Sequence, residues 1–213
     1  MSNYKTVFFI LGVLQIILGL SMIVPIIAQF YYNQVDSGFI GSGLVSIIFG
    51  VLFFLSNLDY EKKLTLPQAF LLTALSWLSI AIFGSLPFVF SDLSLSFTNA
   101  FFESMSGITT TGSTILTNLN ETPKAILLWR AMLQWLGGIG IIVMAITLMP
   151  IMNIGGMQLF VISNTHTPEK ILPKSKEISI RLIVIYSSLT LVCAFFYKIF
   201  GMSFFDSIVH SMT

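Results

Sequence analysis

The sequence predicts an all-α integral membrane protein. Two N-terminal transmembrane helices come first, then a helix–re-entrant pore loop–helix unit and the start of a second such unit. Three observations carry this reading. Only 9% of the 213 residues are charged and 55% are hydrophobic, whereas a soluble domain carries about 25% charged residues. Mean hydropathy is +0.92. Five apolar runs are long enough to supply the ~20 helical residues that cross ~30 Å of hydrocarbon.

The first run covers residues 6–32, with a kink expected at Pro25. It is too long for a signal-peptide core and no small-residue cleavage site comes after it, so it reads as a retained helix. A polar turn at 33–37 leads into the second run, 38–58. The third, 66–90, opens with Pro67 in its first turn, where a missing N–H costs nothing. The fourth, 123–149, is expected to close at Pro150, and the fifth covers 178–200.

Between the third and fourth runs lies the semi-polar stretch 91–122. Its apolar middle, 96–106, offers about 11 residues, too few to cross. A short apolar helix followed by Gly107 and a threonine run reads as a hairpin that enters the membrane partway and returns in extended form. Non-helical backbone at that depth is tolerated only where it lines an aqueous or ionic cavity.

Basic residues set the expected orientation. With a cytoplasmic N-terminus, Lys5, Lys62, Lys63, Lys170, Lys174, Lys176 and Arg181 fall inside, and Lys124, Arg130 and Lys198 outside. That seven-to-three split follows the positive-inside rule. The loop then enters from outside with Asp92, Glu103 and Glu121, an acidic mouth that would modestly concentrate cations.

The chain also repeats itself. Residues 95–106 lie without gaps on 202–213, with Ser96/Ser203, Phe97/Phe204, Ser104/Ser211 and Met105/Met212 identical. Each copy comes after an apolar helix. The second copy stops where its filter would begin, so the expectation is a piece of a longer protein.

The motif that carries chemistry is Ile108-Thr109-Thr110-Thr111-Gly112-Ser113-Thr114. A cation leaving water must exchange its hydration shell for oxygens, and an extended backbone offers carbonyls at regular spacing. Glycine reaches backbone angles closed to other residues. Threonine adds hydroxyl oxygen and favours extended structure. The preceding helix points the negative end of its dipole at the same place. Neutral carbonyls suffice for a monovalent ion; a divalent one calls for clustered carboxylates, which this stretch lacks. An ordinary threonine-rich polar loop is the competing reading.

Glu103 stands alone on the short helix, either tuning the pore mouth electrostatically or bracing the loop from behind. Arg130 lies one or two turns into the fourth helix, where charge is expensive and usually paired. Glu103 or Glu121 is the expected partner, and a cation barrier in the pore is the alternative. Gly137-Gly138-Ile139-Gly140 reads as a close-packing face or a flexible gating point. Trp77, Trp129 and Trp135 read as packing residues or interfacial anchors.

Other functions find no support. Net charge is +1 and no basic stripe with interleaved aromatics exists, which argues against nucleic-acid binding. The single cysteine, Cys193, allows no disulfide framework and reads as a small buried hydrophobe. His166 and His210 have no ligand spacing, and no nucleophile–base pattern, P-loop or zinc signature occurs, so no enzyme and no cofactor are expected.

Several stretches resemble the membrane subunit of bacterial Trk-type potassium uptake systems, in the Trk/Ktr/HKT superfamily. They are Phe101-Phe102-Glu103-Ser104-Met105-Ser106-Gly107, Thr109-Thr110-Thr111-Gly112-Ser113, Trp129-Arg130, Gln134-Trp135-Leu136-Gly137-Gly138-Ile139-Gly140, Gly155-Gly156-Met157-Gln158 and Phe205-Asp206-Ser207-Ile208-Val209-His210-Ser211. The resemblance covers nearly the whole chain. It implies four helix–loop–helix units around one pore in the bacterial inner membrane, preceded by two extra helices; on that template 1–58 are the two extra helices, 59–165 the first full unit with its filter at 109–113, and 166–213 the start of the second, with a helix at 178–200 and a short pore helix at 203–213. It also implies potassium uptake with filter glycine Gly112, coordinating carbonyls at Thr110 and Thr111, and Thr109 as their lower neighbour. Potassium would be bound as cargo. A homodimer and a cytosolic nucleotide-binding regulatory ring are implied as partners, the ring touching the inner loop at 151–177. The alternative from another class is a non-conducting membrane scaffold for a soluble partner.

Overall fold

The computed structural model describes residues 4–34, 36–60, 64–93, 95–152 and 171–213, with side chains described for all of these except 146–152 and 171–176. Among the described residues there are eight helices and no strand: α1 (Lys5–Ser21), α2 (Ile23–Tyr31), α3 (Gly38–Ser56), α4 (Leu66–Phe90), α5 (Phe97–Ile108), α6 (Lys124–Met152), α7 (Ile171–Ile199) and α8 (Phe204–Met212). Five stretches are long and apolar enough to cross a membrane: Lys5–Tyr31, Gly38–Ser56, Leu66–Phe90, Lys124–Ala145 and Glu177–Ile199. The chain divides into two compact units, Met1–Gly137 with Thr213, and Gly138–Met212.

The first run is broken earlier than its proline. Helical bonding lapses at Met22, whose N–H turns back to the Gly19 carbonyl at 3.3 Å, and resumes with Ile26 N–H on Met22. Pro25 is the cause: it has no N–H for the Ser21 carbonyl four residues back, and its ring crowds that oxygen. The remaining boundaries obey the same chemistry. Gln68 caps α4 by accepting the Thr65 N–H at 2.8 Å. Ser96 starts α5 by accepting the Asn99 N–H at 3.3 Å.

Two expected ends are corrected. Pro150 does not close α6, which runs to Met152. The fifth helix begins at Ile171 rather than 178. Its Pro173 falls in the first turn, where no N–H is needed, and its polar opening turns carry the exposed Glu177–Arg181 pair at 2.5 Å. An apolar run marks the lipid-crossing portion of a helix, and the polar turns beyond it leave no such trace.

In the first unit α1 packs against both α3 and α4, and α4 against α3 and α5. The α1–α3 contact is backbone on backbone. A Cβ added at Gly12 would lie 2.6 Å from the Phe54 nitrogen and 2.7 Å from the Gly50 carbonyl oxygen; one added at Gly19 would lie 2.9 Å from the Gly43 oxygen. Apolar surface drives nothing between helices in lipid, so close van der Waals approach through small residues takes its place. One end of this unit gathers the end of α2, the start of α3, the end of α4 and the start of α6. There Asp36 accepts the Asp92 N–H at 3.3 Å and Gln34 accepts the Lys124 N–H at 3.0 Å.

In the second unit α7 packs on α8, and the Tyr197 ring meets His210 edge-on at 6.5 Å. The free Cys193 is half-buried. Ser203 caps α8 by accepting the Asp206 N–H at 3.0 Å, at the position where Ser96 caps α5 in the sequence repeat.

Gly12→Leu drives a side chain into backbone atoms and is expected to destabilise the purified protein by about 1–3 kcal/mol, read as a lower Tm in detergent. Gly140→Ala, where an added Cβ meets no atom within 4 Å, is expected not to lower it.

Candidate functional site

Helix α5 has 12 residues, about 18 Å at 1.5 Å per residue, and it ends at the threonine run. The ending is a Schellman cap. The Thr110 N–H donates to the Gly107 carbonyl at 2.9 Å, and the Thr111 N–H to the Ser106 carbonyl at 3.0 Å. The residue after the C-cap must adopt a left-handed backbone, a place normally held by glycine. Here it is Thr110, at φ +57°. A β-branched residue in that region is strained by about 1–3 kcal/mol and holds there only when its surroundings fix it. Gly112 comes next in the left-handed region at φ +77°, which a glycine adopts freely.

Two residues one turn apart on α5 supply that fixing. Ser106 accepts the Thr111 N–H and, at 3.3 Å, the Gly112 N–H on its carbonyl. Its hydroxyl donates to the Ser113 carbonyl at 2.7 Å. Glu103, 1% exposed, accepts the Thr114 hydroxyl and the Ile115 N–H on Oε1, both at 2.6 Å. On Oε2 it accepts Arg130 Nε at 2.7 Å. The Thr109 hydroxyl lies 2.8 Å from the Met105 carbonyl and 2.9 Å from the Thr111 hydroxyl.

The result is a one-sided ribbon. Every N–H from Thr109 to Gly112 turns back onto α5. Among the described residues, the carbonyls of Thr109, Thr110, Thr111 and Gly112 accept no hydrogen bond. These four residues are exposed, whereas Ser106, Gly107 and Ile108 behind them are buried. Unpaired peptide oxygens demand partners, and the negative end of the α5 dipole adds to their potential.

Helix α6 backs the arrangement. A Cβ on Gly137 would collide with the Ile108 carbonyl, and one on Gly107 would lie 3.0 Å from Leu133 Cβ. Trp129, fully buried, donates its indole N–H to the Gly84 carbonyl at 2.9 Å, tying α6 to α4. An added Cβ on Gly112 would find Gln134 Nε2 at 3.9 Å.

The structure thus brings Glu103, Arg130 and the run from Thr109 to Gly112 into one site, with Glu103 as the partner of Arg130. Sequence reasoning missed Ser106 as a participant; it stood inside a quoted motif, without a spacing that marked it. His166 and the Gly155–Gln158 motif lie outside the described residues. His210 sits on α8, its Nδ1 2.9 Å from the Asp206 carbonyl. Among the described residues no three His, Cys, Asp or Glu side chains converge as metal ligands.

Arg130→Met leaves Glu103 buried and unpaired and is expected to cost about 3–5 kcal/mol. The double variant with Glu103→Gln is expected to cost clearly less than the sum of the two single changes. Thermal unfolding of the four purified proteins measures the coupling.

Residues 5–212 match the family described as "TrkH: Cation transport protein". The chain is 38% identical to the Trk system potassium uptake protein TrkI of Halomonas elongata, covering 96% of this chain and 42% of the relative. Against the Trk system potassium uptake protein TrkH of Escherichia coli it is 38% identical, covering 98% and 44%. The crystal structure of the potassium transporter TrkH from Vibrio parahaemolyticus superposes with a TM-score of 0.87 at 35% identity, covering 99% of this chain and 42% of that one. The chain therefore spans less than half the length of these relatives.

Proposed function

The chain belongs to the TrkH family of cation transport proteins, and on that premise we propose that it supplies part of a pore for potassium uptake across the bacterial inner membrane. The observation that carries this reading is the row of four carbonyls, at Thr109 to Gly112, left without hydrogen bonds at the end of a short helix. A monovalent ion that sheds its water there regains oxygens, with no covalent chemistry. Carbonyls of Thr110 and Thr111 coordinate the ion, Thr109 is the lower neighbour, and Gly112 gives the backbone its turn. Glu103 and Arg130 hold the loop from behind and do not meet the ion. The arginine's charge is spent on a buried carboxylate, which favours a supporting role over a cation barrier.

The wider reading rests on family membership. Residues 1–58 form two preceding helices, 59–165 the first helix–re-entrant loop–helix unit and 166–213 the start of a second, within a four-unit pore. Identical caps on α5 and α8 support the repeat. The N-terminus lies in the cytoplasm and the loop enters from the far side. The parent protein works as a homodimer with a cytosolic nucleotide-binding regulatory ring; of the inner loop at 151–177 that would meet the ring, 153–170 lie outside the described residues.

Uptake of potassium by the full-length protein in a potassium-starved host tests the filter. Gly112→Asp forces a side chain into a left-handed backbone and sets a carboxylate among the carbonyls; uptake is expected to fall at least roughly tenfold, or ~1.4 kcal/mol on the barrier. Unaltered uptake would remove the assignment. Thr110→Gly keeps the cap and relieves its strain, so Tm is expected to hold or rise while uptake or ion selectivity declines, because a flexible peptide no longer fixes its oxygen.

A further inference from the structure

A polar cavity of about 300 Å³ opens at the end of the first unit where α2, α3, α4 and α6 meet. Gln29, Asn33, Gln34, Asp36 and Asp92 line it, with Ile126 as an apolar wall. Asp36 is held in position: its Oδ1 accepts the Gly38 N–H at 2.8 Å and its Oδ2 the Asp92 N–H at 3.3 Å. The Asp92 carboxylate itself accepts no hydrogen bond among the described residues. Gln34 Oε1 takes the Lys124 N–H at 3.0 Å.

Two carboxylates near one another are common at helix ends and establish no site. Gln29 is the independent observation. It is only 4% exposed, it faces the cavity, and among the described residues its side-chain amide makes no hydrogen bond. The amide keeps its small accessible area inside the cavity, since Gln29 is not among the side chains whose polar atoms are both enclosed and unpartnered. Its carbonyl lone pairs are therefore open to a ligand in the cavity, and the two acids beside it determine that ligand's sign.

We propose that this cavity binds a divalent cation of the calcium or magnesium class. The Asp36 and Asp92 carboxylates balance its two charges, the Gln29 carbonyl and the Asn33 amide oxygen add neutral ligands, and water completes the shell. Such hard-oxygen sites with few carboxylates have millimolar affinity. The ion would join the α2–α3 turn, which holds Asp36, to the connection that runs from Asp92 to the α5 cap at Ser96. It would thereby steady the entry to the threonine loop. This site is separate from the row of carbonyls and does not depend on what passes them.

The test is thermal unfolding and calorimetric titration of the purified protein in detergent at constant ionic strength, with calcium, magnesium and potassium chlorides as separate probes. One divalent ion per chain and a Tm rise of about 3–6 °C at 10 mM are expected. Asp92→Asn, which alters a carboxylate free of backbone duties, is expected to abolish both, and Asp36→Asn likewise. Gln29→Leu is expected to weaken the ion's effect, reducing the Tm rise at 10 mM by at least about half. No titratable binding by wild type would overturn the proposal, leaving the cavity to water or to the Lys124 ammonium. An equal response to potassium would overturn the divalent assignment, and an unchanged response in both aspartate variants would overturn the location.

Discussion

The first unit depends on a single buried carboxylate. Glu103 has no exposure worth the name, yet both its oxygens are engaged, one by Arg130 and the other by the Thr114 hydroxyl and the Ile115 N–H. Three elements converge on it: the helix that carries it, the returning limb of the loop at Thr114 and Ile115, and α6. Charge is costly away from water unless it is both paired and hydrogen-bonded. Glu103 meets both conditions, and it does so only when the loop folds back on α5 in this register. The ion pair thus acts as a specification of geometry more than as a source of stability.

Fixing the far side of the loop allows the near side to be strained. Ser106, one turn beyond Glu103, takes the N–H groups of Thr111 and Gly112 and returns its hydroxyl to Ser113. In a trans peptide the C=O of one residue and the N–H of the next point in opposite directions, so with the N–H groups of Thr110, Thr111 and Gly112 turned to the helix, the carbonyls of Thr109, Thr110 and Thr111 face away from it. Threonine at the left-handed position stays there because these bonds hold it, since its β-branch disfavours those angles. Close backing by Gly107 and Gly137 keeps α6 from displacing the cap. A loop held this way presents its oxygens in fixed positions, as the proposed coordination of an ion requires.

Much of this was legible in the sequence, and the hidden remainder has a physical cause. The five crossing runs and the short α5 are set by apolar length alone. Gly112 was legible because a glycine inside a β-branched run has few other uses. The choice of Glu103 over Glu121 for Arg130 was not, since both lie within plausible reach along the chain and only the packing of α6 on α5 separates them. Thr110 as the cap residue was hidden because that place is ordinarily glycine's. Pro150 misled because a proline ends a helix only when the rest of the helix fails to hold it. The Gln29 amide is invisible to any linear pattern: its isolation arises where four helix ends meet.

The internal repeat sharpens the role of Glu103. Ser96 and Ser203 begin their helices with the same hydroxyl cap, three residues ahead of Asn99 and Asp206. The gapless alignment that pairs those caps sets Glu103 opposite His210. His210 turns its Nδ1 to the carbonyl one turn back and lies edge-on to Tyr197. An imidazole cannot accept an arginine and two further donors at once, as a carboxylate does. The two short helices therefore start the same way, but the position held by Glu103 in the first carries a side chain in the second that cannot make the same set of contacts. The cap sets where each helix begins, whereas the brace at Glu103 depends on a carboxylate that accepts from three donors at once.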